Sequence, residues 1–389
     1  MTQPKENTTI EAVLEIINEA GLEGLGEAVS ILINEAMKAE RSNVLQAQPW
    51  ERSRTRQGHA NGFKNKVLST RLGKLDLKVP QVRGGVDFYP SALEKGIRSE
   101  KALKLAMAEM YVQGVSTRKV TSVLEKLCGL EISSSQVSQA SKMLDQELVR
   151  WRSKELTNTP YIQLDARYEK VRQDGVVVSS AVLIATGVLE NGQRTVLGTS
   201  VSLSEAEIHW RNFLLDLKRR GLHGVQLITS DDHSGLKAAL KTVFPSVPWQ
   251  RCQVHLQRNA VSYVPKVAMR QEVARDIRNI FNAPDLNEAE RLLDMAVTKY
   301  EKTASKLSRW METNIPEGLT VFLLEHEHHR KKLRSTNMVE RLNREIKRRT
   351  RVATIFPNEE SLLRLVSAIL VETTEEWETG RKYIKICSE

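Results

Sequence analysis

The sequence predicts an α/β protein with a mixed β-sheet core and helical segments before and after it. Apolar and polar residues alternate with a period of two in much of the stretch from 160 to 255, as in half-buried strands. The segments on either side repeat apolar residues every three or four positions, as amphipathic helices do. The chain has 389 residues, which is enough for two or three domains with separate cores.

Residues 1–45 form a helical segment with two amphipathic patterns. The apolar face of the second pattern consists of Val29, Leu32, Ile33 and Met37. These side chains are too few to form a core alone, so we expect the segment to pack on another part of the chain or on a second copy. Residues 46–98 are basic and rich in turn residues, and they include the stretch VLSTRLGKLDLKVP, which alternates around a glycine as a small hairpin does.

Residues 99–155 contain three helix patterns, of which the second begins after Ser116, a predicted N-cap, and the third extends to Leu148. The second and third are joined at CGLEI and form a helix-turn-helix candidate, although such pairs also occur in ordinary helical cores. Their first turns carry donors suited to contacting a DNA groove or its phosphates. These predicted DNA-binding residues are Arg118, Lys119, Ser134 and Gln136.

Residues 156–257 begin with three strand patterns: YIQLDARYEKVR, VVVSSAVLIATGVL and TVLGTSVSL. A helix, the strand VQLITS, a second helix and the strand WQRCQVHL follow. The order β-β-β-α-β-α-β is typical of a ribonuclease-H-like core, whereas a flavodoxin-like sheet would alternate strand and helix from the start.

The rest of the chain is helical in pattern. Residues 258–330 interrupt the α/β pattern as an all-α insertion, and residues 331–389 complete the core with a strongly basic helix and an amphipathic C-terminal helix.

The charge distribution favours a polyanionic partner. The formal net charge is +10, and ten lysines and arginines stand against two acids between Arg330 and Arg351. Between Glu51 and Glu100, eleven basic residues stand against five acids. A solvated charged face is the ordinary interpretation of one such patch, but two separate patches favour nucleic acid.

Cysteine usage and hydropathy point to a reducing compartment. Cys128, Cys252 and Cys387 form no disulfide framework, and no apolar run has the length of a membrane helix. The N-terminal stretch MTQPKENTTI lacks the basic-then-apolar order of a secretory signal. We therefore expect a cytoplasmic, nucleoid-associated protein without membrane contact.

Three acids are candidate catalytic residues. Asp165 lies inside the first predicted strand, where a carboxylate is costly unless it is paired or binds a metal, and Asp231 ends the fourth, which should pair beside the first. Glu340 lies in the basic helix, where pairing with Arg344 at i+4 is the simpler interpretation. Asp232 directly follows Asp231, and both helix capping and cation binding remain open for this adjacent pair.

Three converging carboxylates would hold two Mg²⁺ or Mn²⁺ ions, because these cations prefer oxygen ligands and a pair of them can drive phosphoryl transfer. The cations of the basic helix are predicted to hold DNA phosphates beside the ions. These are Arg341, Arg344, Lys347 and Arg348.

Three further residues have weaker signals. Cys252 and His255 have a metal-like spacing, and the stretch HEHH at 326–329 could extend a zinc site, but one C-x-x-H is half a site. A buried strand position for Cys252 and a DNA-facing or structural role for His255 are expected instead. Trp310 is a candidate for stacking on an extruded base, although such a tryptophan is more often part of a core.

The stretches QLDARYEKVR, SDDHSGLKAAL, WQRCQVH and LRSTNMVERLNREIKRRTRVATIFPNEESLLRLV closely resemble bacterial insertion-sequence transposases of the Mutator-like DDE family. The resemblance extends over nearly the whole chain. It implies a ribonuclease-H-like core with an all-α insertion between the second aspartate and the glutamate. The family triad falls on Asp165, Asp231 and Glu340, and the family's cysteine-and-histidine signature falls on Cys252 and His255. In the family's arrangement the metal-binding aspartate directly follows the strand, so the resemblance implies Asp231 as the ligand and leaves Asp232 as the expected cap of the following helix.

The resemblance implies a protein that binds the terminal inverted repeats of its element and joins them to target DNA, through a circular intermediate. Because two ends must be joined in concert, a homodimer is expected. Two other functions remain open from the sequence: a stand-alone nuclease or resolvase that cuts without joining, and a DNA-binding regulator with an inactive core.

Overall fold

The computed structural model describes residues 8–385. Residues 1–7 and 386–389 lie outside the described residues, and these include most of the stretch MTQPKENTTI and Cys387. The chain forms two compact units, Met1–Met143 and Leu144–Glu389. No helix within residues 8–385 is both long enough and apolar enough to cross a membrane.

The first unit consists of helices around a two-stranded sheet. Its α-helices and β-strands are α1 (Thr9–Ala20), α2 (Leu25–Leu45), β1 (His59–Thr70), β2 (Gly73–Arg83), α3 (Lys101–Val112), α4 (Thr117–Cys128) and α5 (Ser134–Ser141). Strands β1 and β2 pair antiparallel up to Thr70 and Gly73, which confirms the predicted hairpin. Gly73 has a φ of +100°, a conformation that glycine adopts without strain.

Helix α2 packs on the hairpin rather than standing alone. Met37 is fully buried in a cluster with Leu75 and Leu77 of β2. The predicted apolar face is wrong at Leu32, which is 47% exposed. The contacting stripe contains Val29 and Ile33 with Met37, at a spacing of four, so Leu32 falls to one side of it.

Helices α3, α4 and α5 share one small core. Ser116 accepts a hydrogen bond from the backbone of Lys119, which confirms the predicted N-cap of α4. The prediction of one helix through Leu148 is wrong, because α5 ends at Ser141. The hydroxyl of Ser141 donates to the carbonyl of Ser138 at 2.7 Å, a bond that bends helices and competes with their propagation.

Within its described residues, 144–385, the second unit has eight α-helices and five strands before the basic helix and its successor. The elements are α6 (Asp145–Arg152), β3 (Tyr161–Gln173), β4 (Val176–Val188), β5 (Arg194–Ser202), α7 (Glu207–Arg219), β6 (Leu227–Ser230), α8 (Ser234–Val243), β7 (Trp249–Arg251), α9 (Gln253–Ser262), α10 (Arg270–Phe281), α11 (Leu286–Glu301), α12 (Ser305–Asn314), α13 (Glu327–Leu333), α14 (Asn337–Thr350) and α15 (Glu359–Thr379).

The five strands form one mixed sheet in the order β5-β4-β3-β6-β7. The first three strands are antiparallel, and β6 and β7 run parallel to β3. A mixed α/β core is therefore confirmed, as is the prediction that the fourth strand of this unit pairs beside its first. Helices α7 and α8 cover the sheet through a buried cluster that includes Leu164, Leu183 and Trp210.

The last predicted strand, WQRCQVHL, is wrong beyond Arg251. Helix α9 begins at Gln253, and it buries Leu256 and Ala260 among the helices α10 to α12. A spacing of four between these two apolar residues suits a helix, and the buried helical cluster stabilises that choice. Cys252 thus lies before a helix and His255 lies in its first turn.

An ion pair between the buried Arg364 and the exposed Asp145 joins α6 to α15. Arg364 is 6% exposed and donates from Nε and Nη2 to the two carboxylate oxygens of Asp145, at 2.6 and 2.9 Å. Removing one partner of such a pair leaves the other charge buried without compensation.

We expect Asp145→Ala to destabilise the second unit by about 1–3 kcal/mol, because Arg364 would lose its carboxylate. The urea midpoint followed by tryptophan fluorescence measures this, since five of the six tryptophans lie after residue 144. Glu147→Ala is the matched control on the same helix, because its pair with Arg150 is exposed on both sides and contributes about 0–1 kcal/mol. Equal losses in the two variants would contradict this assignment.

Candidate active site

The sheet brings Asp165 and Asp231 to matching positions on neighbouring strands. Strands β3 and β6 are parallel, and their last registered pair is Gln163 with Thr229. Asp165 and Asp231 each lie two positions further along (165 − 163 = 231 − 229 = 2). Adjacent strands are about 4.8 Å apart, so the two carboxylates are close neighbours at this edge of the sheet.

Asp165 is held by two hydrogen bonds in a largely buried position. The backbone of Ala166 donates to its Oδ1 at 2.9 Å, and Asn343 Nδ2 donates to its Oδ2 at 2.6 Å. Burial and the nearby charge of Asp231 nevertheless raise the pKa of Asp165 to about 7. In the metal-free protein this carboxyl group is therefore only partly ionised near neutral pH.

Helix α14 brings Glu340 to the same place. The helix buries Met338, Val339, Leu342 and Ile346. Thr336 is its N-cap residue, but its side chain does not cap the helix. Instead the Thr336 hydroxyl and backbone N–H donate to the sulfur of Cys252, at 3.3 and 3.4 Å.

His255 lies between two of the three acids. Its Nδ1 contacts the Asp231 carboxylate, and its Nε2 lies 3.3 Å from Glu340 Oε1. Arg258, one turn further along α9, approaches the same Glu340 oxygen at 3.5 Å. The contact with Asp231, together with a hydrogen bond to Cys252, raises the pKa of His255 to about 10, and burial offsets only part of this.

The two adjacent aspartates have different partners. Asp232 forms ion pairs with Lys237 at 3.1 Å and with Arg251 at 3.0 Å. The prediction that Asp232 caps the next helix is wrong, because His233 holds the N-cap position of α8 and no side chain caps it. Asp232 instead neutralises the guanidinium of Arg251, which is 4% exposed, while Asp231 is the aspartate that faces Asp165 and His255.

The oxygens of the site suit a hard cation. Asp231 Oδ1, Glu340 Oε1 and Asn343 Oδ1 are buried and have no hydrogen bond of normal geometry from residues 8–385. The first two have ion-pair contacts with His255 and Arg258. Asn343 Oδ1 is the one of these three oxygens without such a contact in this range, and a cluster of carboxylate and amide oxygens fits the preference of Mg²⁺ or Mn²⁺ for oxygen ligands.

A second set of possible ligands overlaps the first. Ligand atoms of Asp231, Cys252 and His255 lie within 4.8 Å of one another, a mixture that zinc accepts. Burial opposes ionisation of Cys252, but hydrogen bonds from His255 and Thr336 outweigh it and lower the pKa of the thiol. Within the described chain, no histidine of the stretch HEHH belongs to a group with metal-ligand geometry.

Residues 1–380 match the sequence profile of the family described as "Transposase, Mutator family". The chain belongs to this family of transposases. It is 56% identical over 386 residues to the transposase for insertion sequence element IS406 of Burkholderia multivorans, covering 99% of both chains. It is 44% identical over 387 residues to the transposase for ISRM5 of Rhizobium meliloti (99% of this chain, 96% of the other). It is 36% identical over 390 residues to the transposase for IS256 in transposon Tn4001 of Staphylococcus aureus (99% of both).

The predicted DNA-binding cations of this transposase are exposed. Arg341, Arg344 and Arg348 line a cavity of about 430 Å³ with Arg194, and none of the three acids belongs to its lining. Lys347 is exposed on the same helix. The simple pairing of Glu340 with Arg344 is not found among the ion pairs of the described residues, since Glu340 contacts His255 and Arg258.

The predicted DNA-binding residues of the first unit lie at the starts of two helices. Arg118 and Lys119 are exposed in the first turn of α4, and Ser134 is exposed at the start of α5. Gln136 is exposed as well, but its Oε1 accepts a hydrogen bond from the backbone of Ser133 in a capping box.

Trp310 is half-buried at the edge of the helical cluster formed by α9 to α12. Its ring stacks on Tyr263 with centroids 5.4 Å apart and planes at 25°. One face of the indole is therefore already occupied by an aromatic neighbour.

Asn343 is a site residue that the sequence-based prediction missed. It lies three residues after Glu340 on α14, a spacing that places both side chains on the same helix face. That spacing is the signal that could have indicated it.

We expect Asp165→Asn to stabilise the transposase at about pH 8 in EDTA, where the wild-type carboxyl must ionise without a metal. The pKa of the Asp165 carboxyl is 3.8 when unperturbed and about 7 in the folded protein. The contribution of this group to the free energy of unfolding is therefore complete below about pH 4, and it is lost as the pH rises through about 7. A rise of about 2–4 °C in Tm would correspond to about 1 kcal/mol in a unit of this size. Thermal melts at pH 5 and pH 8 measure it.

Asp232→Asn is the control for this measurement, since Asp232 is ion-paired with Arg251 and Lys237 and should give no gain at either pH. An Asp165→Asn variant that is no more stable than the wild type at pH 8 would show that the carboxyl is not strained in the free protein.

Proposed function

We propose that this transposase is a DNA-strand transferase that binds the terminal inverted repeats of its insertion sequence, cleaves them and joins them to target DNA. The observation that carries the proposal is the meeting of Asp165, Asp231 and Glu340 around His255. These acids come from a strand, a strand end and a helix, and 109 positions separate the last two (340 − 231 = 109). Folding for stability alone would not favour this, because the carboxylates repel one another.

Asp165, Asp231 and Glu340 would hold two Mg²⁺ or Mn²⁺ ions, with the free oxygen of Asn343 beside them. Such ions, when bound, activate the attacking oxygen and stabilise the leaving oxygen of a phosphodiester. We favour oxygen-ligated ions over zinc, because Cys252 already accepts two hydrogen bonds from Thr336 and its sulfur serves to anchor α14.

The surrounding residues have positioning roles. Asn343 fixes the orientation of Asp165, and His255 sets the separation of Asp231 and Glu340. The exposed cations Arg341, Arg344, Lys347 and Arg348 would bind the phosphates of the strand that enters the site.

The architecture supports this proposal in two further respects. The β-β-β-α-β-α-β order, with the all-helical segment between β7 and α14, fits a ribonuclease-H-like nuclease core. Helices α4 and α5 would act as a helix-turn-helix that recognises the inverted repeats, with Arg118, Lys119, Ser134 and Gln136 at the DNA. Joining two ends in concert would require a homodimer.

We expect Asp165→Asn, Asp231→Asn and Glu340→Gln each to lower strand joining by at least about a hundredfold while end binding persists, because each removes an oxygen ligand. The assay combines labelled end DNA, a target plasmid and Mg²⁺ or EDTA. Asp232→Asn is the matched control, since it changes the neighbouring acid and should join at near wild-type rates.

Joining in EDTA would overturn the metal-dependent mechanism. If Asp232→Asn lost joining while Asp231→Asn kept full activity, Asp232 and not Asp231 would be the metal ligand. Cleavage without any joined product would favour a nuclease, and end binding with neither reaction would favour a regulator with an inactive core.

We expect Asn343→Ala to raise the Mg²⁺ concentration needed for half-maximal joining, because its hydrogen bond lowers the pKa of Asp165 and that bond would be lost. Part of the loss should be recovered at higher pH, where Asp165 ionises again. Asn337→Ala is the control, since Asn337 is an exposed residue at the start of the same helix. A uniform loss at every pH and Mg²⁺ concentration would indicate a general structural defect instead.

A further inference from the structure

The first unit contains a cavity of about 970 Å³ that the triad chemistry does not use. It is bounded by the end of α2, by residues 46–58 and by the first residues of β1. Its volume falls in the range of sites that hold small molecules or parts of larger ligands.

The lining of the cavity is strongly cationic. It includes the single acid Glu51 and five arginines, which gives a formal charge of +4 (5 − 1); the arginines are Arg41, Arg52, Arg54, Arg56 and Arg83. Glu51 accepts a hydrogen bond from the backbone of Gln48 at 2.7 Å, and none of the five arginines forms an ion pair within the described part of the chain. A cluster of guanidinium groups that outnumbers the one carboxylate and pairs with none favours an anionic ligand.

Two exposed aromatic rings lie at the same cavity. Trp50 is 100% exposed and Phe63 is 46% exposed, and the guanidinium of Arg41 lies 5.0 Å from the Phe63 ring centre. Trp50 has a φ of +64°, which is costly for a bulky residue and places its side chain in solvent rather than in the core. Trp310, in contrast, already has a ring partner.

Cations and open aromatic faces in one concave site match the requirements of an unpaired nucleotide, whose base needs a flat apolar surface and whose phosphate needs positive charge. A base within a duplex has both faces covered by its neighbours, so stacking requires a base that has left the helix.

We propose that this cavity binds an unpaired nucleotide of the DNA, with its base stacked on Trp50 and its phosphates contacted by the arginines. The inference rests on the proposed function, because the nucleotide would belong to the DNA that the transposase binds and cleaves.

The test uses the full chain and two fluorescein-labelled probes, the single strand (dT)₁₀ and an abasic strand with the same number of phosphates. Trp50→Ala should weaken binding of (dT)₁₀ about tenfold, within the range of one lost stacking contact, and should leave binding of the abasic strand unchanged. Trp50→Phe should retain most of the affinity. Arg83→Gln should weaken both probes and lower the dependence of affinity on salt concentration.

Leu72→Ala is the matched control, since Leu72 is an exposed apolar residue of the same unit outside the cavity. Equal affinity of wild type and Trp50→Ala for (dT)₁₀, or equal losses for both probes, would overturn the stacking proposal. Strand joining is measured separately. Intact joining with no effect of Trp50→Ala on (dT)₁₀ binding would contradict this inference alone. A Trp50-dependent preference for (dT)₁₀ over the abasic strand, without strand joining, would contradict the proposed function alone.

Discussion

The repulsion between Asp165 and Asp231 is the constraint that the rest of the second unit accommodates. Parallel pairing of β3 and β6 places the two carboxylates side by side, and burial raises the pKa of Asp165 to about 7. Two neighbouring acids in this position destabilise the free protein unless cations lie between them. His255 supplies part of that compensation on one side, while Asn343 donates a hydrogen bond on the other.

The return of the chain to the sheet after the helical segment depends on specific polar contacts. The backbone of Gln253 donates to the carbonyl of Arg334 at 3.0 Å, and the side chains of Gln250 and Gln253 both donate to the carbonyl of Gly318 at 2.8 Å. The bonds to Gly318 hold the end of the helical segment near β7, and the Gln253–Arg334 bond with the contacts of Thr336 with Cys252 attaches the start of α14 close to the end of β7. The position of Glu340 is therefore set by buried hydrogen bonds as well as by the apolar face of its helix.

Much of the site could be predicted from the sequence, because alternation and helical periodicity locate the elements on which the acids lie. Asp165 within a strand, Asp231 at a strand end and Glu340 on an amphipathic helix all follow from local patterns. The partners of these acids do not, because they arise from tertiary contacts. The pairing of Asp232 with Arg251 and the contacts of His255 with Asp231 and Glu340 are not visible in local periodicity. The same holds for the end of α5 at Ser141, where a 3-10 turn over Lys142–Leu144 replaces the continuous helix.

The central claim is that Asp165, Asp231 and Glu340 share divalent cations. Anomalous X-ray diffraction from crystals grown with Mn²⁺ and end DNA tests it most directly, because the signal locates each ion independently of the protein coordinates. We expect anomalous peaks within coordination distance of oxygens from all three acids. Peaks confined to Cys252 and His255, or Mn²⁺ bound elsewhere with the three carboxylates apart, would contradict the account.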